Sequence, residues 1–234
     1  MTTYRFVGGL HDDPLGVDPM RQQLVQLRAQ YGIPTFIAVE ADAHFHAEVV
    51  GRRPEFRQML DWTLRGAKTP DVAGELLDRC AGTLSFEPEL ALEVVQPASM
   101  IWLDSGRPGH SGSLMAFRLR MFKSAVEDPN APADTPWSVN VADAAATLAV
   151  ISQRRRHAAL QGAGIIGQER DQRWFDALHA HVDPDADGWV AILCGFAHAT
   201  QNGGDWTLRQ RLIDDGHPTQ AFYHVMQPPD QWIP

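Results

Sequence analysis

The chain predicts an α/β fold with a mainly parallel central sheet, and three observations carry this. Short apolar runs alternate with amphipathic helical segments at both ends of the 234 residues, as β-α-β units. The stretch between them is mainly helical and holds a single strand-like run. Polar residues stand directly after the apolar runs, where the carboxyl edge of a parallel sheet builds its sites. The expected organisation is one α/β domain over 1–234 with a mainly helical insertion around 41–182.

Residues 4–10 read as the first strand, and His11-Asp12-Asp13-Pro14-Leu15-Gly16 is turn chemistry. Asp18 suits an N-cap and Pro19 a first helical position, followed by Met20, Leu24 and Leu27 on one face and a stop at Gly32. Thr35–Val39 is the second strand and ends on Glu40. A strand, a helix and a strand in that order imply a crossover and a parallel pair. Helices are expected from Pro54, Asp71 and Pro88, then a third strand at Ser99–Leu103 that ends on Asp104. The Gly-rich loop Ser105–Gly112 leads into a helix with Leu114, Phe117, Leu119 and Phe122. Glu127–Pro136 reads as an exposed polar loop. Helices over Val141–Leu160 and Gln168–His181 follow, then a strand at 189–194, a helix around Trp206–Asp215 and a last strand, Gln220–Val225.

A 44% hydrophobic composition is enough for a full core. The net charge of −9 argues against a nucleic-acid partner, which wants a basic face. Cys80 and Cys194 have no metal-like spacing, so a reduced compartment is expected. No run reaches the roughly 18 apolar residues of a membrane span, and no basic head with an apolar stretch opens the chain. The expectation is a cytoplasmic protein without a membrane partner, acting on a small molecule or peptide. The sequence does not set its oligomeric state.

The first strand closes in Gly8-Gly9-Leu10-His11 and the strand near 190 in Gly195-Phe196-Ala197-His198. A lone histidine after a strand is an ordinary loop or capping residue. Two matched Gly-x-x-His endings with a strand-end glutamate make a stronger pattern. His11, Glu40 and His198, with Asp104 as a fourth group, would meet at one sheet edge. Two imidazoles and a carboxylate are a fitting ligand set for a divalent metal such as Mn²⁺, Co²⁺ or Zn²⁺. Such an ion lowers the pKa of bound water and polarises a carbonyl. Without metal, His11 or His198 would act as general base, oriented by Glu40. Gly8 and Gly195 would let the backbone bend out of the sheet. Asp12 and Asp13 are either partners orienting His11 or turn formers.

These motifs resemble the paired Gly-x-x-His motifs of the EreA/ChaN/TIKI superfamily, which includes the TraB proteins. Glu40 resembles that group's strand-end acidic residue. Glu169-Arg170-Asp171-Gln172-Arg173-Trp174 is similar to its Arg-Asn/Asp helix start ahead of the last core strand. The Val7–Pro14 opening is similar to the haem-binding ChaN branch. Where erythromycin-esterase-like and ChaN-like members have Gly-Glu-x-His, this chain has Gly9 in place of the glutamate. The resemblance implies metal-dependent peptide cleavage, ester hydrolysis with a histidine base, or haem binding without turnover. In the first two, His11, Glu40 and His198 surround the metal or its water, and Arg170 binds a substrate carboxylate or steadies an oxyanion. The ordinary alternative for Arg170 is an ion pair with Glu169 or Asp171.

Four look-alikes lack their context. Gly162–Gly167 spells a dinucleotide fingerprint after the end of a helix, where a strand is required. Asp183–Gly188 opens like a calcium loop, but Cys194 stands where the bidentate glutamate belongs. Gly109-His110-Ser111-Gly112-Ser113 misses the last glycine of a nucleophile elbow, and Ser111 reads better as an N-cap. His44/His46 and His179/His181 have a spacing that puts the two rings on different helix faces.

Overall fold

Strands β1 (Thr2–Gly9), β2 (Phe36–Val39), β3 (Met100–Trp102), β4 (Gly188–Gly195) and β5 (Thr219–Tyr223) run parallel in one sheet, in the order β3-β2-β4-β1-β5. The helices are α1 (Val17–Tyr31), α2 (Ala43–Gly51), α3 (Arg53–Gly66), α4 (Gly74–Gly82), α5 (Glu87–Leu92), α6 (Ser111–Glu127), α7 (Ala144–Gln161), α8 (Gln168–His181) and α9 (Leu208–Asp214). The structure is a computed structural model and describes residues 1–66, 71–106, 109–127, 144–161, 168–199 and 207–223. Among them, no helix is long and apolar enough to cross a membrane.

The continuous apolar runs of β1 and β4 follow from burial on both faces, as parallel sheets require. Tyr4, Phe6, Val190, Ile192 and Cys194 face α8 and α9, where Trp174, Leu178, Leu208 and Leu212 close the core. The alternate residues Val7, Ala191 and Leu193 face α1 and α5, against Met20, Leu24, Leu27 and Leu90. The Met20, Leu24, Leu27 spacing is one helical stripe. The expected β-α-β openings at both ends of the chain are therefore the two halves of one sheet.

The inserted helices have their own core. Phe56, Leu60 and Leu64 form the buried stripe of α3, and they pack with Leu76 and Leu77 of α4, Phe122 of α6 and Ile151 of α7. No strand residue belongs to this cluster. The turn after β1 joins it to the sheet. Asp13 accepts hydrogen bonds from Ser152 (2.5 Å) and Arg156 (2.7 Å) of α7, and Asp12 pairs with Arg155 of α7 and Arg118 of α6. A cleft is left between the carboxyl edge of the sheet and the face of α6.

Several local expectations change. Gly16, not Asp18, precedes α1, and no side chain caps it. Asp18 lies in the first turn and pairs with Arg21 and Arg79. Ser111 begins α6, but its hydroxyl is buried against Glu48 and Arg52, and the ring of His110 accepts from the Ser113 N–H at 3.1 Å as a cap would. The last helix starts at Leu208 with Thr207 as its cap, and β5 spans Thr219–Tyr223. Asp183–Gly188 is a turn, with the Asp183 carboxylate accepting from Asp185 N–H at 3.0 Å. The glycine run 162–167 and most of the loop 127–136 lie outside the described residues.

Candidate active site

The two Gly-x-x-His strands are direct neighbours. β1 and β4 pair over their whole length, with Gly9 opposite Gly195. His11 therefore leaves the sheet two residues past Gly9, and His198 sits in the single 3-10 turn Phe196–Ala199 that follows β4. Glu40 comes one residue after β2, and its N–H still bonds the Leu193 carbonyl at 3.0 Å. Asp104 follows β3, and Arg170, Asp171 and Trp174 come from the first turns of α8. All four expected strand-end groups share one edge.

Neither Gly8 nor Gly195 has a positive φ, so backbone bending is not why glycine stands there. A Cβ on Gly195 would lie 2.9 Å from His11 Nε2 and 3.3 Å from Glu40 Oε2. A Cβ on Gly8 would lie 3.0 Å from Phe196 Cα. Gly195 clears room for the side chains of His11 and Glu40, and Gly8 for the turn that carries His198.

Glu40 is the hub. Its Oε2 faces His11 Nε2 at 3.1 Å and accepts from Gly195 N–H at 2.5 Å. Its Oε1 accepts from Arg170 Nη1 at 2.8 Å and lies 3.7 Å from His198 Nε2. Arg170 also forks onto Asp104 through Nε (3.0 Å) and Nη2, and it stacks over Trp174, whose indole donates to Asp104 at 2.9 Å. The His198 Nδ1 bonds the buried Asp171 at 2.8 Å, and its ring packs 4.3 Å from Trp174. The other ring nitrogen of His11, Nδ1, bonds Glu87 at the start of α5.

His11 is thus held between two carboxylates that are themselves almost fully buried. Burial alone would disfavour the imidazolium, but the charges of Glu40 and then Glu87 outweigh it and raise its pKa to about 10. Burial alone would raise Glu40 as well. The opposing charges of His11, Arg170 and His198 overcome this and hold its carboxyl well below the usual range. Arg170 is desolvated too, and Glu40 and Asp104 fix it as a cation.

His11, Glu40, Glu87, Asp104 and Arg170 line a cleft of about 580 Å³, whose opposite wall is Phe45, Leu114, Phe117 and Arg118. Leu114, Phe117 and Arg118 lie at i, i+3 and i+4 on α6, so one helix face presents them together. The expected site residues divide accordingly. His11, Glu40 and Arg170 meet in the cleft. His198 is buried behind Glu40 and is not part of the lining. Asp12 does not touch His11; it faces Arg118 and Arg155, and Glu87 orients the ring instead. Arg170 pairs with Glu40 and Asp104 and with neither Glu169 nor Asp171.

Glu87 and Arg118 have no counterpart in the sequence reading. Glu87 looks like any acidic residue ahead of a helical Pro88, and Arg118 like one of several arginines on a helix.

The residues present do not fit a divalent ion as they stand. Both oxygens of Glu40 are saturated, one by a guanidinium that already supplies the positive charge, and both nitrogens of His11 face carboxylates. Haem ligation by His11 would need the same nitrogens. Among the described residues, the one trio of His and carboxylate groups with ligand atoms within 4.8 Å of each other is His179, Asp215 and His217. It lies at the other edge of the sheet, ahead of β5. No family model matches the chain, and no curated protein or solved structure does either.

Proposed function

We propose that the chain is a hydrolase of ester or amide bonds in a small-molecule or peptide substrate, working through Glu87 and His11 without a metal. The observation that carries this reading is the pairing of His11 with Glu87 at the cleft floor. Glu40 has no oxygen to spare. Glu87 bonds only His11 among the described residues, through Oε1, which leaves Oε2 for a water in the cleft. A buried carboxylate beside an imidazolium, in a cleft, is a proton-transfer arrangement.

The roles follow from the charges. A water bonded to Glu87 Oε2 attacks the carbonyl carbon, and its proton passes to that carboxylate as the new C–O bond forms. The His11 imidazolium lies beside the growing oxyanion and offsets its charge in a partly desolvated site. Glu87 then gives the proton to the leaving oxygen or nitrogen as its bond to carbon breaks. Glu40 positions His11, while Arg170 and His198 position Glu40. The resemblance to the EreA/ChaN/TIKI superfamily supports hydrolysis at this edge, with the metal-assisted version as the form the residues fit less well.

The test is turnover of a panel of aryl esters and N-acyl amino acids, before and after dialysis against chelator. Wild type hydrolyses at least one class equally in both conditions. Glu87→Gln loses about 10²-fold or more in kcat. An inert wild type, or a Glu87→Gln variant with full activity, overturns the reading. The apolar wall of Phe45, Leu114 and Phe117 favours one other reading, a planar-ligand protein without turnover. A Soret band on adding haemin that His11→Gln abolishes, with no hydrolysis, would replace the first reading by that one.

A further inference from the structure

Arg118 sets the second half of the cleft. Its side chain is 11% exposed, yet no nitrogen of its guanidinium makes a hydrogen bond among the described residues. Its nearest anion, Asp12, stands 3.4 Å away and is engaged more closely by Arg155. Its Nε is fully buried without a partner. Buried guanidinium groups are ordinarily hydrogen-bonded as well as charge-paired, and among the described residues Arg118 has only the 3.4 Å ion pair with Asp12; its planar fork matches a carboxylate. This one lines the same cleft as His11 and Glu87, beside the exposed ring of Phe117.

We propose that Arg118 is the anion subsite of the cleft and that the substrate carries a carboxylate there, next to an apolar group seated on Phe117, Leu114 and Phe45. The proposal takes the cleft of the proposed reaction as its binding site. A monoanion is favoured over a phosphate dianion for an electrostatic reason. Glu40, Asp42, Glu87 and Asp104 line the same cleft, so a second negative charge on the ligand would meet their repulsion. The substrate class is then an ester or amide bearing a free carboxylate and an apolar or aromatic body, such as an N-acylated apolar amino acid.

The experiment is isothermal titration of the full chain with 3-phenylpropionate, its neutral amide 3-phenylpropionamide, and inorganic phosphate. Wild type binds the carboxylate about tenfold or more tighter than the amide, the difference expected of a hydrogen bond to a charged group. Arg118→Met removes that preference. Asp12 keeps Arg155 as its partner in this variant, and a melting curve checks folding. Arg118→Lys keeps the charge without the fork, so it weakens carboxylate binding severalfold and retains the preference. Equal binding of carboxylate and amide by wild type, tighter binding of phosphate than of carboxylate, or an unchanged preference in a folded Arg118→Met each overturns the proposal. Should Arg118→Met not fold, equal binding of carboxylate and amide by Arg118→Lys does so. The titration needs no turnover. Arg118-dependent binding in a protein that hydrolyses nothing supports the subsite while removing the hydrolase reading. Hydrolysis of neutral and carboxylate esters alike, with no binding preference, does the reverse.

Discussion

Titration of His11 reads the charge logic of the site directly. The perturbation is pH alone. In the folded chain His11 is raised from 6.5 to about 10, because two carboxylates outweigh the desolvation of the ring. A raised pKa means that the folded state binds one proton more than the unfolded state between those values. Stability from this group is therefore fully present below about 6.5 and is lost as pH rises through about 10. The slope is about 1.4 kcal/mol per pH unit, which gives a ceiling of about 5 kcal/mol. The two carboxylates also lose hydration on burial, which offsets part of that, so a working figure is about 2–3 kcal/mol. The first assay is urea denaturation of wild type and His11→Gln at pH 6.5, 8 and 9.5, where the gap between the two narrows as pH rises. The second is nitrogen NMR of the imidazoles, with the His11 signal assigned by its absence in that variant. His11 stays protonated at pH 8. Glu40→Gln removes the larger of the two raising charges and lowers its pKa, and Glu87→Gln lowers it as well. A His11 that is neutral at pH 7.5 refutes the reasoning. It would also return the role of base from Glu87 to His11.

Three further outcomes follow from the same geometry. Gly195→Ala places a methyl 2.9 Å from His11 Nε2, so it costs about 1–3 kcal/mol in urea denaturation and lowers kcat at least tenfold. Asp12→Asn leaves two buried arginines facing a neutral group, so it destabilises by about 3–5 kcal/mol, with loosening of α6 and α7 visible as faster amide exchange there. Asp171→Asn unseats His198 beneath Glu40; because neither group lines the cleft, it lowers kcat with little change in KM and lowers the melting temperature.

The sheet was legible because its signals are local. Apolar runs of strand length, broken by amphipathic helices, identify all five strands, β3 among them, and the polar residues after them mark the edge that carries the candidate site. The meeting of His11, Glu40 and Arg170 was legible for the same reason, since each closes a strand or opens a helix that returns to the sheet. The partners that decide the chemistry were not. Glu87 reaches His11 from 76 residues away, and Asp12 meets Arg118 and Arg155 across the helical insertion. Nothing in one dimension separates these side chains from solvated charges. The proposed metal-free reading rests on Arg170, which the helix start of α8 aims at Glu40 rather than at its own neighbours Glu169 and Asp171. The glycines were placed correctly and explained wrongly, because a close approach and a backbone bend leave the same letter in the sequence.

The charges of the cleft are unevenly divided, and the division has a direction. On the sheet side, the carboxylates Glu40, Asp42, Glu87 and Asp104 face the cations His11 and Arg170, an excess of two negative charges. On the helical side, Arg118 and Arg155 face Asp12 alone, an excess of one positive charge. A neutral substrate would gain nothing from this separation. An anionic one is drawn to the Arg118 wall and kept off the carboxylate floor, so its carbonyl, not its carboxylate, is presented to Glu87. The turn His11-Asp12-Asp13 sits between the two halves. It supplies a cation to one and an anion to the other, and it fastens the insertion that separates them. A three-residue turn after one strand thus supplies one member of the proposed catalytic pair and sets the polarity by which a substrate would enter the cleft.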